Sequence, residues 1–269
     1  MTSSKLQILR DLPADFEVSA LFWSEAGLFY GDMNGSVYLY EADYTPQGGN
    51  SHIGQKRLLD SQKLAITSIC CIKDFCVSSS LDSSIMIFNY KTNNSQIITS
   101  IPSPYVLMPI DSIDSVAVGS LDGSVFFINI TNSQTSGPFK LFNEPICSIA
   151  RNPIENQIVA LTSKELVLFD FTQNTEINRL KITADCCTSC SISENGLSCV
   201  ISTTEGTVRI VDMISFKEVG CVLIDQVELN KVIQTDYGKR FVVLGCNGKV
   251  NIFNINTMMK ESGLIVGKL

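Results

Sequence analysis

The sequence predicts an all-β fold, a β-propeller of six four-stranded blades, on three observations. A turn feeding an apolar strand recurs six times, successive copies start 48, 40, 41, 42 and 42 residues apart, and no long amphipathic helix interrupts them. Four strands in a period of roughly 40 to 45 residues is the layout of a propeller blade. Repetitive all-β architectures run to 269 residues as one domain, so residues 1–269 are expected to form a single one.

The six markers are NGSVYLY (34–40), DSSIMIF (82–88), DGSVFFI (122–128), SKELVLF (163–169), EGTVRIV (205–211) and NGKVNIF (247–253). Asn-Gly and Asp-Gly tolerate the positive φ of a two-residue hairpin turn, and the β-branched and aromatic residues that follow favour a pleated strand. Each marker is thus the second arm of a hairpin. Its first arm precedes it, as GLFYGDM, DFCVSSSL, DSVAVGSL, NQIVALT, LSCVISTT and RFVVLGC. An inner strand comes earlier still, as VSALFW, AITSICCI, YVLMPI, ICSIAR, TSCSIS and NKVIQT. An outer strand closes each period, as KRLLD, QIITSI, FKLFN, EINRLKI, EVGCVLI and, at the C-terminal end, SGLIVGKL.

The long first step has a local cause. TPQGGNSHIGQ, residues 45–55, is rich in Gly, Pro, Asn and Ser and reads as an insertion in a surface loop. KLQILRDL, Lys5 to Leu12, is left over as an outer strand ahead of the first blade. Either it completes the last blade and closes a ring of six, or it belongs to a seventh, incomplete blade whose other strands a partner donates.

The period, the SLDGSV-type turn (120–125) and the aliphatic strand after it resemble WD-repeat propellers over nearly the whole chain. The Trp-Asp that ends the family's repeat stands here as Tyr40-Glu41, Phe88-Asn89, Ile128-Asn129, Phe169-Asp170, Val211-Asp212 and Phe253-Asn254, while Trp23 lies on an inner strand. In the family, a blade-starting histidine bonds to the turn Asp through a Ser and the Trp. The one histidine here, His52, falls in the insertion, and only Asp82 and Asp122 keep the turn carboxylate, against Asn34, Ser163, Glu205 and Asn247. Without that network, stability is expected from apolar packing between neighbouring blades. SSSLDSSIMIFN (78–89), with the long loop after the first blade, resembles the small WD-repeat subunits of Ski-type exosome-cofactor complexes. The partner-completed alternative resembles the open propellers of vesicle coats and nuclear pores. Both resemblances imply a subunit of an intracellular multiprotein complex.

A formal charge of -7 without clustered Lys and Arg argues against direct nucleic-acid binding and suits a basic protein partner. No run approaches the roughly 18 apolar residues of a membrane helix, and MTSSKLQILRDLPADFE lacks the pattern of a signal peptide, so a cytoplasmic or nuclear location is expected. The ten cysteines are expected to stay reduced, most of them (Cys70, Cys71, Cys76, Cys190, Cys199, Cys221, Cys246) at strand positions that want a small apolar side chain. Cys187-x-x-Cys190 lacks the second pair a structural zinc needs, and the two thiols are expected on opposite strand faces. A lone histidine in a Gly-rich loop cannot anchor a Ser-His-Asp or Cys-His site, and no phosphate-binding loop is present. Asn34, Asn93 and Asn129 match glycosylation acceptors that are expected to be silent. The reading is of no catalytic, cofactor or metal site; a propeller hydrolase using paired carboxylates is the enzymatic alternative.

What remains is surface. The connections from each outer strand to the next inner strand, PADFE, SQK, PSPY, FNEP, TADC and IDQVE, are expected to gather with the hairpin turns on one face. They carry Asp15, Glu17, Glu144, Asp185, Asp225 and Glu228 against Lys63, with Phe16 and Tyr105 as exposed aromatics and Glu205 added from its turn. Acid interleaved with aromatic rings is a seat for a Lys- or Arg-bearing peptide, so the chain is expected to be a non-enzymatic protein-interaction scaffold.

Overall fold

The computed structural model describes residues 17–43, 52–257 and 259–265. They form six four-stranded antiparallel sheets, the blades of a β-propeller, each a meander in chain order. Blade one holds β1 (Val18–Ser24), β2 (Gly27–Asp32), β3 (Ser36–Asp43) and β4 (His52–Ser61); blade two holds β5 (Ile66–Ile72), β6 (Phe75–Ser80), β7 (Ile85–Asn89) and β8 (Asn94–Ile98). Blade three holds β9 (Pro104–Ile110), β10 (Ser115–Ser120), β11 (Ser124–Asn129) and β12 (Thr135–Lys140); blade four holds β13 (Ser148–Arg151), β14 (Gln157–Leu161), β15 (Glu165–Asp170) and β16 (Thr175–Lys181). Blade five holds β17 (Cys187–Ile192), β18 (Ser198–Thr203), β19 (Thr207–Asp212) and β20 (Lys217–Leu223); blade six holds β21 (Leu229–Thr235), β22 (Arg240–Gly245), β23 (Lys249–Asn254) and β24 (Met259–Ile265). The chain divides between Lys140 and Leu141 into two compact units of three blades each.

Marker strands such as IMIFN and SVFFIN read as apolar runs because a blade between two others is buried on both faces, while Arg209 and Asn251 interrupt those of blades five and six. In blade two, Ile69, Cys71, Cys76, Met86 and Phe88 pack against Phe29, Val37 and Leu39 of blade one. Their strand neighbours Cys70, Ile72, Val77, Ile85 and Ile87 pack the other way, against Leu107, Val116, Val118, Phe126 and Ile128 of blade three. Blade five repeats the division, with Cys199, Ile201 and Val211 toward blade four and Val200, Val208 and Ile210 toward blade six. A wholly enclosed side chain such as Ile85 contributes about 1.5–3 kcal/mol relative to exposure.

Several local expectations need correction. Five hairpins have three-residue loops in place of two. The amides of Gly35, Ser83, Gly123, Gly206 and Gly248 donate to the residue before the loop, and within each loop only that third residue takes a positive φ. The Asp or Asn at the second place contributes its side chain instead: Asp82, Asp122 and Asn247 accept the amide two residues on, at 2.9, 2.8 and 3.1 Å. Of the six turns that lead into the marker strands, only that of blade four has two residues, Ser163-Lys164, without positive φ. At the far end of the marker strands, Asn89, Asn129, Asp170, Asp212 and Asn254 close the next turn by accepting its amides.

The outer strand of blade three runs from Thr135 to Lys140, earlier than FKLFN; Leu141 and Phe142 owe their apolar character to burial in the connection. The insertion at 45–55 overlaps β4, because β3 and β4 continue their ladder to the pairs Ala42–Ile53 and Asp43–His52. β24, not SGLIVGKL as a whole, is the outer strand of blade six. Lys5 to Leu12 lies outside the described residues. All ten cysteines are free, but Cys221 and Cys246 are exposed rather than buried. Cys187 and Cys190 share one apolar cluster, because a register shift between Cys187 and Ser189 adds a residue and restores the same face. Burial pushes the Cys187 thiol up to about 12.

Candidate functional site

Within each unit the connections and hairpin turns do meet, at one end of the strands. The first loop residue of a turn donates its amide to the residue just ahead of the inner strand: Met33 to Glu17 O, Leu81 to Ala65 O, Leu121 to Ser103 O, Thr204 to Cys186 O and Cys246 to Glu228 O, all at 2.9–3.0 Å. On its way, the connection also crosses the turn of the blade it has left. Gln62 N reaches Gly35 O at 2.8 Å, Ile182 N reaches Lys164 O at 2.8 Å and Ile224 N reaches Gly206 O at 2.9 Å. Each such connection is therefore a strap bonded to two successive blades. Glycine is required where it crosses: a Cβ on Gly206 would stand 1.9 Å from Asp225 O, and the residue has φ +80°.

Side chains reinforce the straps. In blade two, Asp82 accepts the Lys63 amide at 2.8 Å, while buried Gln62 donates to the Ser84 hydroxyl at 2.7 Å and accepts from the Ser78 hydroxyl at 2.7 Å. A polar network thus exists without histidine, which qualifies the expectation that apolar packing acts alone. In blade three the Ser120 hydroxyl donates to Pro102 O. In blade four the Ser163 hydroxyl donates to Glu144 at 2.9 Å. In blade five Glu205 accepts the Asp185 amide and pairs with Arg209 at 3.5 Å. In blade six Asp225 accepts from Lys249 Nζ at 2.9 Å and from the Asn247 amide group at 3.2 Å. Burial raises the pKa of Asp82 and Asp122, but hydrogen bonds from Ser84 and the Lys63 amide, and from Ser124, outweigh it and hold both below the ordinary carboxylate value. The Lys249 hydrogen bond, aided by the Gln226 amide, does the same for Asp225.

The predicted acidic face therefore divides. Glu144, Glu205 and Asp225 hold loops; Asp185 and Glu228 are exposed, with no side-chain partner among the described residues. Glu17 is exposed and contributes its carbonyl, Tyr105 is exposed on β9, and Asp15 and Phe16 lie outside the described residues. A cleft of about 420 Å³ opens in blade four between Phe142, Glu144, Thr162, Lys164, Glu165 and Lys181. Its two carboxylates are engaged, Glu144 by Ser163 and Glu165 by Arg179 at 2.7 Å; Arg179 also lies over the Phe142 ring.

The opposite end of the strands in residues 141–265 is built differently. Its turns expose Ile154 (66%), Leu197 (49%), Ile214 (80%) and Tyr237 (66%). The turns touch in succession. A Cβ on Gly196 would stand 3.2 Å from Ile154 Cγ1, Met213 N donates to Leu197 O at 3.0 Å, and Asn195 Nδ2 donates to Tyr237 O at 3.0 Å. The four side chains thus form a band across blades four, five and six. Tyr237 is held at φ +53° between Asp236 at +55° and Gly238 at +81°. Left-handed backbone costs a non-glycine residue roughly 1–2 kcal/mol, and strain of this kind collects at functional sites. Charge was the signal followed in the sequence, and it missed this band. The available signal was a large apolar residue inside three otherwise polar turns, NPIEN, ENGLS and TDYGK, and Ile214 as the exposed residue of a turn whose Met213 and Phe216 are buried.

No protein-family model matches the chain, and no curated protein matches it.

Proposed function

We propose that the chain is a non-enzymatic platform for protein assembly, a WD-repeat-like propeller serving as a subunit of an intracellular multiprotein complex. The observation that carries this reading is the band of Ile154, Leu197, Ile214 and Tyr237. Turn residues are ordinarily polar, and large apolar side chains exposed together on neighbouring turns of a rigid frame suit a surface that another protein covers. The strapped end of the strands is the frame. Glu144, Glu205 and Asp225 hold loops there, and both acids of the blade-four cleft have structural partners, which favours a scaffold over a hydrolase. Residues 78–89 nominate a Ski-type RNA-processing assembly as the complex.

The test is affinity capture from the native cell, read by mass spectrometry, with the wild-type chain beside an Ile214→Asp/Tyr237→Asp variant. Partners are expected to be retained by the first and lost by the second, with thermal melts of the two alike. An identical set of partners on both would remove the band from the reading, and the identity of the partners decides whether the complex is of Ski type.

A further inference from the structure

We propose that Cys71 and Cys76 are an oxidation site, a pair of facing thiols beside a solvent cleft that hydrogen peroxide closes into a disulfide across two strands of blade two. The site does not depend on the platform reading. Cys71 on β5 stands directly opposite Cys76 on β6, and no other two cysteines oppose each other in the strand registers of the described residues. Directly opposed residues of an antiparallel pair have Cα atoms about 4.5–5.5 Å apart, inside the span of about 4.4–6.8 Å that a disulfide bridges, so the bond needs no movement of the strands. Both side chains belong to the apolar cluster of blades one and two, while Cys70 packs the other way, toward blade three. Cys190 and Cys199 also share a cluster, but they stand diagonally, opposite Ile201 and Ile192, at about 7–8 Å, too far to bridge without moving the backbone.

Access singles out the same pair. A cleft of about 470 Å³ between the β1–β2 turn and the β5–β6 turn is lined by Ala26, Cys71, Lys73, Asp74 and Tyr90. Its rim is fixed, because the Tyr90 hydroxyl donates to Lys73 O at 2.7 Å and Lys91 pairs with Asp74 at 2.7 Å. Cys71 meets the cleft and Cys76 is wholly enclosed behind it, which orders the steps. The Cys71 thiolate attacks one peroxide oxygen, the O–O bond breaks, and the leaving hydroxide takes up the thiol proton as water, leaving a sulfenic acid. The Cys76 sulfur then attacks the Cys71 sulfur; the S–S bond forms, the S–O bond breaks, and a second water carries off the Cys76 proton. Two electrons pass from the sulfurs to one peroxide. Burial, aided by the neighbouring Cys76 thiol, raises the Cys71 pKa, so thiolate is scarce at neutral pH and the pair stays reduced until oxidant is sustained.

The experiment exposes the reduced full chain to hydrogen peroxide at pH 7 and pH 8, blocks the remaining thiols, and maps the tryptic peptides by mass spectrometry. Trypsin cuts after Lys73, so the bond joins two peptides. A Cys71–Cys76 link is expected, formed about tenfold faster at the higher pH, since thiolate is the reactive form. It should raise the melting temperature by roughly 4 °C until dithiothreitol restores the original curve. Cys70→Ser should keep the link and Cys71→Ser should lose it; where Cys71→Ser does not fold, fragmentation of the wild-type linked peptides places the bond. Oxidation of the exposed Cys221 and Cys246 with Cys71 and Cys76 left as thiols overturns the proposal. So do a bond from Cys76 to Cys70, a link that appears only in urea, or a melting temperature lowered by the link.

Discussion

In residues 141–265 the two ends of the strands have opposite characters. At one end stand most of the acids that the sequence brings forward, and Glu144, Glu205 and Asp225 are taken up by Ser163, Arg209 and Lys249. At the other end Asn152, Asp170, Ser193 and Asp212 close the turns by accepting their amides, yet Ile154, Leu197, Ile214 and Tyr237 stand in solvent. The first end resembles a binding face in composition and is a frame in geometry. The second resembles ordinary turns in composition and holds four large apolar side chains in solvent. Whether a charge is available depends on the nearest donor, and whether a turn has a task beyond turning depends on residues that its own fold does not use.

The largest effect is expected where the frame has no room. Gly206→Val puts a β-branched side chain at φ +80° and on top of Asp225 O, so the strap must shift. A loss on the order of 3 kcal/mol or more in urea unfolding is expected; a loss under about 1 kcal/mol would mean that the strap is not part of the frame.

A smaller effect concerns acid. Asp82, Asp122 and Asp225 have folded pKa values below those of the unfolded chain. Their contribution is therefore complete above the unfolded carboxylate value of about 3.9 and is lost as pH falls through the lower folded values. Asp225→Asn should melt below wild type at pH 7, by the equivalent of about 0.5–1 kcal/mol for so exposed a pair, and the two curves should converge near about pH 2. A gap that widens in acid would contradict the role given to the Lys249 contact.

The smallest effect should carry the opposite sign. Tyr237→Gly relieves a left-handed tyrosine and is expected to raise stability by about 1 kcal/mol, while weakening whatever the band binds. Calorimetry and the affinity capture read both, and a fall in melting temperature would show that Tyr237 is held by packing rather than displayed against strain.

The architecture was legible because it follows from short-range chemistry. Turn residues ahead of apolar runs mark each hairpin in sequence, and burial on both faces leaves strands such as IMIFN and SVFFIN apolar at nearly every position. The details that escaped depend on contacts between distant residues. Spacing cannot say that Glu144 lies beside Ser163, or that a register shift returns Cys187 and Cys190 to one face. Apolar character also has two causes, strand pairing and simple burial, and Leu141 and Phe142 belong to the second. The apolar band was visible in principle, but only to a reading that asks why an isoleucine stands in DMIS.

The strap of blade six also carries a chemical clock. Asn247 is followed by Gly248, the neighbour least able to shield its side chain from attack by the next backbone nitrogen, and the Asn247 amide group donates to Asp225 at 3.2 Å. Deamidation would exchange that donor for a carboxylate and set two like charges across the strap, with Lys249 left to answer both. The age of a molecule would then be written in the bond that ties the turn of blade six to the chain before it, as it would at Asn34-Gly35 and Asn195-Gly196.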